Sequence, residues 1–426
     1  MNQGLNTKLL HAGYTSEETT KSRAVPIYMT TAYSFDSAEH AASLFDLSQA
    51  GNIYTRLQNP TSDVLEQRMA AIEGGVGALA TSSGHSAIFM TMITLAQQGD
   101  EIISSMSIYG GAVNLLDKTL RKMGIDVKFA NADDPSSFEA LITDKTKAIF
   151  LEIIGNPNAN LIDLKAICEI GAKYGIPVIA DNTVATPYLI KPIEFGANIV
   201  IHSTTKYISG TGTSMGGVVV DAGNFKWEDN PRFPEFNTPD PSYKGLIFAK
   251  AVGNLAFIIR LRTNTLRDIG ACQSPMNSWL TLQGLETLSL RMERHCSNAL
   301  AVAKYLEASD AVINVNYPAL ESSPYYALQQ EIIPKGASSM FTFNIKGGKE
   351  AGIKFINSVK LLSHVANLGD SRSLVSHPAS TTHSQLNEEA LNKANITSGT
   401  IRLSVGYEDI EDILADIAQA LEISQQ

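Results

Sequence analysis

The stretches 177-PVIADNT-183 and 199-IVIHSTTK-206 decide the fold. Each is a short, continuous apolar run that closes in polar residues. Such a run reads as a strand covered on both faces, with only its carboxyl end reaching polar surroundings. Outward from this pair the same signature recurs at Ala78–Thr81, Glu101–Ser104, Asp126–Ala130, Ala148–Glu152 and Gly217–Val220. A helical stretch at Asp63–Glu73 precedes them, and others fall between most of them, at Ala87–Gln97, Val113–Met123 and Leu164–Tyr174. Strands alternating with helices predict an α/β lobe on a mostly parallel sheet. The first of these helices has Val64, Leu65, Met69 and Ile72 at helical spacing and stops at Gly74 and Gly75.

The flanks read differently. The first fifty-odd residues are polar and interrupted, an arm with one short helix at Glu39–Leu47. Residues 224–246, NFKWEDNPRFPEFNTPDPSYKGL, are rich in Pro, Asn and aromatics without an apolar period, which predicts a long surface loop or lid. Helical sequence then runs to about Ser309. A second, smaller lobe follows, with β-like Ser339–Ile345 and Thr400–Val405 and a closing amphipathic helix at Ile410–Ile423. At 426 residues the chain exceeds what one core holds, since single cores stop growing at roughly 250–300 residues.

Composition narrows the function classes. With 43 Asp+Glu against 33 Lys+Arg and a net charge of −10, nucleic acid is not the expected partner. No apolar run approaches a membrane span, and the start MNQGLNTKLLHAGYT has no secretory pattern. The three cysteines, Cys168, Cys272 and Cys296, form no CxxC pair, so no metal or disulfide framework is expected. These features predict a cytoplasmic protein. Two short motifs mislead. Gly75-Val76-Gly77-Ala78-Leu79-Ala80 fits a dinucleotide fingerprint, but here a helix precedes and a strand follows, the reverse of the required order. Ser203-Thr204-Thr205-Lys206 fits the S-x-x-K of serine acyl-enzymes, whose companion S-D-N and K-T-G elements are missing; that class stays a distant alternative.

In open α/β sheets ligands bind beyond the carboxyl ends of the strands. Asp181 stands at one such end, where a buried acid needs a partner such as a protonated ring nitrogen. Lys206 follows the next, an amine able to condense with an aldehyde, with Ser203 and Thr205 beside it to hold a phosphate. The turn Thr81-Ser82-Ser83-Gly84-His85-Ser86 opens a helix, where backbone N–H groups make an anion site. Together these match what pyridoxal 5′-phosphate requires.

Further motifs extend the pattern: Tyr54-Thr55-Arg56 with Asn59-Pro60-Thr61, Tyr109-Gly110-Gly111, Asn156-Pro157, His377-Pro378-Ala379-Ser380, and Arg402-Leu403-Ser404-Val405-Gly406. With them the chain resembles, over nearly its whole length, the Cys/Met-metabolism family of pyridoxal-phosphate enzymes. The resemblance implies fold type I: a mostly parallel seven-stranded sheet, a smaller α+β C-terminal domain and an N-terminal arm. It divides the chain into an arm at 1–56 serving a neighbouring subunit, a cofactor domain at 57–262 and a C-terminal domain at 263–426. It also implies roles. Lys206 would hold the cofactor and move protons, Asp181 pair with the ring nitrogen, Asn156 bond the phenolic oxygen, and Tyr109 stack on the ring as a second catalytic group. Ser83, Gly84, His85, Ser203 and Thr205 would bind phosphate. Tyr54 and Arg56 would reach a neighbouring subunit's site, Tyr54 also touching substrate, in a homotetramer of dimers. Arg402 and Asn367 would hold the substrate α-carboxylate. Taken alone, Tyr109 also reads as a core aromatic and Arg402 as a surface salt bridge.

Within the family, cystathionine enzymes tend to place Glu just before the position of Asn367, where this chain has Ala366. Methionine γ-lyases typically carry Cys where it has Gly111. Segment 232–243, with Ser376-His377-Pro378-Ala379-Ser380-Thr381-Thr382-His383, resembles the sulfhydrylases. The expected activity is therefore γ-replacement of acetate from O-acetylhomoserine by sulfide or a small thiol. Methionine γ-lyase or a cystathionine-type reaction is the alternative, and the sulfur donor and leaving group stay open. His85 departs from the neutral residue the resemblance leads one to expect.

Overall fold

The computed structural model describes residues 3–378 and 397–426. Its main sheet comprises β1 (Gly77–Thr81), β2 (Glu101–Ser105), β3 (Asp126–Ala130), β4 (Thr146–Glu152), β5 (Val178–Asp181), β6 (Ile199–His202) and β7 (Gly217–Asp221). They lie in the order β1-β7-β6-β5-β4-β2-β3. Neighbours from β3 through to β6 pair in parallel, while β7 runs antiparallel to both β6 and β1. Alternate residues feed two cores. Along β4, Ile149 and Leu151 enter one and Ala148 and Phe150 the other. A sheet covered on both faces needs apolar residues at every position, which is why its strands read as continuous runs.

Two helices place the site. Helix α3 (Pro60–Glu73), the third in the chain after α1 (Leu5–His11) and α2 (Ala38–Phe45), starts with Pro60 in its first turn. Its cap is Asn59, whose side chain accepts from Thr61 N at 3.0 Å. It ends where Gly74 takes φ 88°, so Gly75–Gly77 is a helix-to-strand turn. Helix α4 (Gly84–Leu95) follows β1 directly and is capped by Ser83. A second sheet, order β10-β11-β12-β9-β8, is built from β8 (Val312–Asn316), β9 (Met340–Ile345), β10 (Ser363–His364), β11 (Leu374–Ser376) and β12 (Thr400–Ser404). The closing helix Ile410–Ser424 packs Ile413, Ile417 and Leu421 inward.

Three expectations need correction. The arm contains two helices, because α1 precedes α2; α1 buries only Leu9, too little to show as a period. The stretch Val113–Met123 is not one uniform α-helix: Gly110–Asn114 is α-helical and Leu115–Leu120 is π-helical. Segment 224–246 is not a lid. Trp227 stacks on Phe236 at 4.5 Å, and Trp227, Phe233 and Phe236 are all buried. Arg232 donates to the carbonyls of Thr143, Asp144 and Thr146, at the amino end of β4. The direction of β7 explains this placement. Its last residue, Asp221, pairs with the first residue of β6, so the chain leaves the sheet at the amino ends of the parallel strands.

Candidate active site

Five strand ends of the main sheet and one strand of the second converge on a cavity of about 290 Å³. Its lining includes Ser83, Gly84, His85, Tyr109, Asn156, Asp181, Ser203, Thr205, Lys206, Asn367 and Arg402, all expected from sequence. Tyr54 and Arg56 are not among the lining residues. Tyr54 is 41% exposed, and the Arg56 guanidinium lies over its ring and donates to the carbonyl of Arg267. From the motif at Ser376–His383, Ala379, Ser380, Thr381, Thr382 and His383 lie outside the described residues.

Lys206 is half-buried, and its Nζ donates to Asn367 Oδ1 at 2.6 Å. Burial, and then the charge of Arg402, bring its ammonium down to about 8. Arg402, on β12, is itself buried and donates from Nη1 to Asn156 Oδ1 at 3.1 Å and from Nη2 to the Asn367 carbonyl at 3.0 Å. Burial pushes it down to about 10. Among the described residues no carboxylate lies within ion-pair distance of Arg402, so the surface salt bridge reading fails. A buried guanidinium held only by neutral oxygens is set up to take a carboxylate in its fork.

Asp181 is buried at the end of β5, and its Oδ1 accepts from Thr183 N at 3.0 Å. Burial raises its pKa against the hydrogen bonds of Thr183. Next to it Glu152, closing β4, is raised much further by burial and by Asp181; its Oε1 accepts from Tyr109 N at 2.8 Å. The two carboxylates share a site, and Glu152 is the one that keeps the proton. Glu152 and Thr183 line the cavity and were absent from the sequence assignment. The signal was available for Glu152, which ends the strand beside that of Asp181.

Across the cavity, Ser83 Oγ accepts from Ser86 N at 3.1 Å and so starts α4. A Cβ on Gly84 would stand 2.6 Å from Ser203 Cβ, so only Gly lets this helix start meet the Ser203–Lys206 turn. Thr205 Oγ1 is tied to Gly216, accepting from its N at 3.1 Å and lying 3.2 Å from its O. Tyr109 is 39% exposed, not a core aromatic, and His85 meets its ring edge-on at 5.7 Å between centroids. Among the described residues no cluster of three or more His, Cys, Asp or Glu suits a metal ion.

The fit to a cofactor follows from these groups. Asp181 has no Lys or Arg within ion-pair distance among the described residues, and a protonated ring nitrogen would supply the missing cation. The start of α4 faces the same space with free backbone donors for an anion. Such a cavity at the strand ends of such a sheet belongs to a pyridoxal-phosphate enzyme of fold type I. Residues 6–422 match the family described as Cys/Met metabolism PLP-dependent enzyme, and the chain belongs to that family. It is 49% identical to the homocysteine synthase of Schizosaccharomyces pombe, over 98% of each chain. It is 47% identical to the O-acetyl-L-homoserine sulfhydrylase of Leptospira meyeri, over 97% of this chain and 96% of that one. A solved structure from Campylobacter jejuni, provisionally named an O-acetylhomoserine (thiol)-lyase, contains N′-pyridoxyl-lysine-5′-monophosphate. It superposes with a TM-score of 0.96 at 44% identity, covering 99% of this chain and 100% of its own. Among the described residues no helix is long and apolar enough to cross a membrane.

Proposed function

We propose that the enzyme replaces the γ-acetoxy group of O-acetylhomoserine by sulfide or a small thiol, giving homocysteine or its thioether, methionine. The observation that carries this reading is the Lys206–Asn367–Arg402 chain of contacts, which sets an amine of lowered basicity beside a carboxylate clamp, with Ala366 and no acid just before Asn367. The distal ammonium of a cystathionine-type substrate finds no acid at that position. A Cβ on Gly111 would come within 2.5 Å of Tyr109 Cε1, so the Cys expected of a γ-lyase would displace the Tyr109 ring from its present position.

Bound pyridoxal phosphate supplies the electron sink that makes the protons on the substrate's Cα and Cβ removable. Lys206 would hold it at rest; freed, its amine would take the Cα proton, give it up to the bound group, and only then take a Cβ proton as acetate departs from Cγ, where sulfide would add in its place. Asp181 would keep the ring nitrogen charged, while Glu152 beside it is pushed toward its neutral form by burial and by Asp181. Asn156 spends Oδ1 on Arg402, which leaves Nδ2 to donate to the phenolic oxygen. Ser83, Gly84, His85, Ser203 and Thr205 cradle the phosphate. Tyr109 stacks on the ring and exchanges a proton near Cγ. Arg402 and Asn367 fix the α-carboxylate. Tyr54 and Arg56, from the arm at 1–56, complete a neighbouring subunit's site against its cofactor domain (57–262) and C-terminal domain (263–426), in a cytoplasmic homotetramer. The test is homocysteine formation by the cofactor-loaded protein. O-acetylhomoserine with sulfide should give homocysteine; ammonia and an oxo acid released from methionine instead would move the activity to a γ-lyase.

A further inference from the structure

Asn182 and His202 belong to the two decisive motifs, yet neither lines the cavity. Each adjoins a residue that does: Asn182 follows Asp181, and His202 precedes Ser203. Alternation along a strand sends their side chains to the other face of the sheet. There both reach one atom. Glu73, the last residue of α3, accepts at Oε1 from Asn182 Nδ2 at 3.0 Å and lies 2.6 Å from His202 Nε2. With Glu73 as a carboxylate, His202 Nε2–H is the donor of the second bond. Glu73 and His202 are wholly enclosed, as is Asn182, whose Nδ2 also donates to the Ile190 carbonyl at 3.0 Å. On the cavity face the same two strand ends are joined once more, Ser203 N donating to Thr183 Oγ1 at 2.8 Å.

We propose that Glu73 is a positioning residue that sets the spacing between Asp181 and the Ser203–Lys206 turn by holding Asn182 and His202 on a single carboxylate oxygen from behind the sheet. It touches neither cofactor nor substrate and acts through the two residues it binds. A buried carboxylate is a costly way to join two strands that already share backbone hydrogen bonds. What it adds is registry between two groups that must meet opposite ends of one rigid ring. This rests on the reading of the cavity as a pyridoxal-phosphate site.

The test uses full-length apoprotein and pyridoxal phosphate. Glu73→Gln keeps the accepting oxygen, Glu73→Leu removes it, and Asn182→Ala removes one arm while leaving the Glu73–His202 contact. Cofactor affinity is read by quenching of protein fluorescence, cofactor geometry by visible circular dichroism per bound molecule, and folding by far-ultraviolet melting. Asn182→Ala should still fold, with a lowered melting temperature, bind pyridoxal phosphate about tenfold more weakly, as one lost hydrogen bond to a charged group implies, and show a smaller visible band per bound molecule. Glu73→Gln should stay close to the parent and Glu73→Leu should fall further than Asn182→Ala. Parental affinity and parental visible dichroism in Asn182→Ala would overturn the proposal, even if Glu73→Leu fails to fold. A parent protein that takes up no pyridoxal phosphate would overturn the cofactor reading itself, a separate and visible failure.

Discussion

At the scale of single residues the site works by withheld solvation. Lys206 is brought down to about 8 by burial and by Arg402, so near neutral pH a useful fraction of its amine is unprotonated. Lowering the pH protonates Nζ and removes the lone pair that attacks the cofactor aldehyde. The rate of pyridoxal-phosphate uptake by apoprotein, followed by stopped-flow absorbance, should therefore rise with pH and level off above about 8; a rate still climbing at pH 10 would show an ordinary lysine. Lys206→Ala should abolish turnover. Arg402→Ala should lower kcat/KM for O-acetylhomoserine by about tenfold to a hundredfold, the worth of a charge-assisted bidentate bond, with steady-state kinetics as the check. Lys206 was legible because it follows a strand end, where a polar side chain after an apolar run has a reason to exist, whereas Arg402, in the middle of β12, was reached only through the resemblance to the family. Glu73 was not legible, since an acid closing a helix reads as an ordinary capping or surface residue until the neighbouring element is known.

At the scale of elements, α4 and the Ser203–Lys206 turn meet through a glycine. Gly84→Ala would put a methyl group 2.6 Å from Ser203 Cβ and 3.0 Å from its Cα, backbone that cannot yield without moving the turn. The variant should fold, bind pyridoxal phosphate more weakly and show lowered kcat; equal affinity in an apoprotein titration would mean the helix start is not part of the anion cradle. All seven strands of the main sheet were visible in the sequence: six are buried at nearly every position, and the edge strand β3 still buries Val127 and Ala130. Helices were less exact. The π-helical turn at Leu115–Leu120 keeps an apolar spacing close to that of an α-helix, and α1 is too short to display any period.

At the scale of the whole molecule, Lys206 comes from one sheet and Arg402 from another, while Tyr54 and Arg56 stand outside the cavity of their own chain. If the arm completes a neighbour's site, mixing Lys206→Ala protein with Arg56→Ala protein, each nearly inactive, should restore activity after subunit exchange. Mixtures as inactive as their components would confine each site to one chain. The segment 224–246 belongs to this scale as well. Composition alone predicts a long surface loop or lid there, because it reports the absence of a period but not the aromatic cluster that Trp227, Phe233 and Phe236 form in space. Replacing residues 230–242 with a short Gly/Ser linker should lower the melting temperature and leave the ranking of acyl-homoserine substrates by kcat/KM unchanged.

The antiparallel turn of β7 carries that last point further. By delivering 224–246 to the amino ends of the sheet, it separates the part of the chain that advertises kinship from the part that performs chemistry. The segment is held by its buried aromatics at one pole of the sheet, while the cavity of Lys206 and Arg402 opens at the other. A chimera carrying this stretch in a shorter relative would inherit a family likeness and no new reaction.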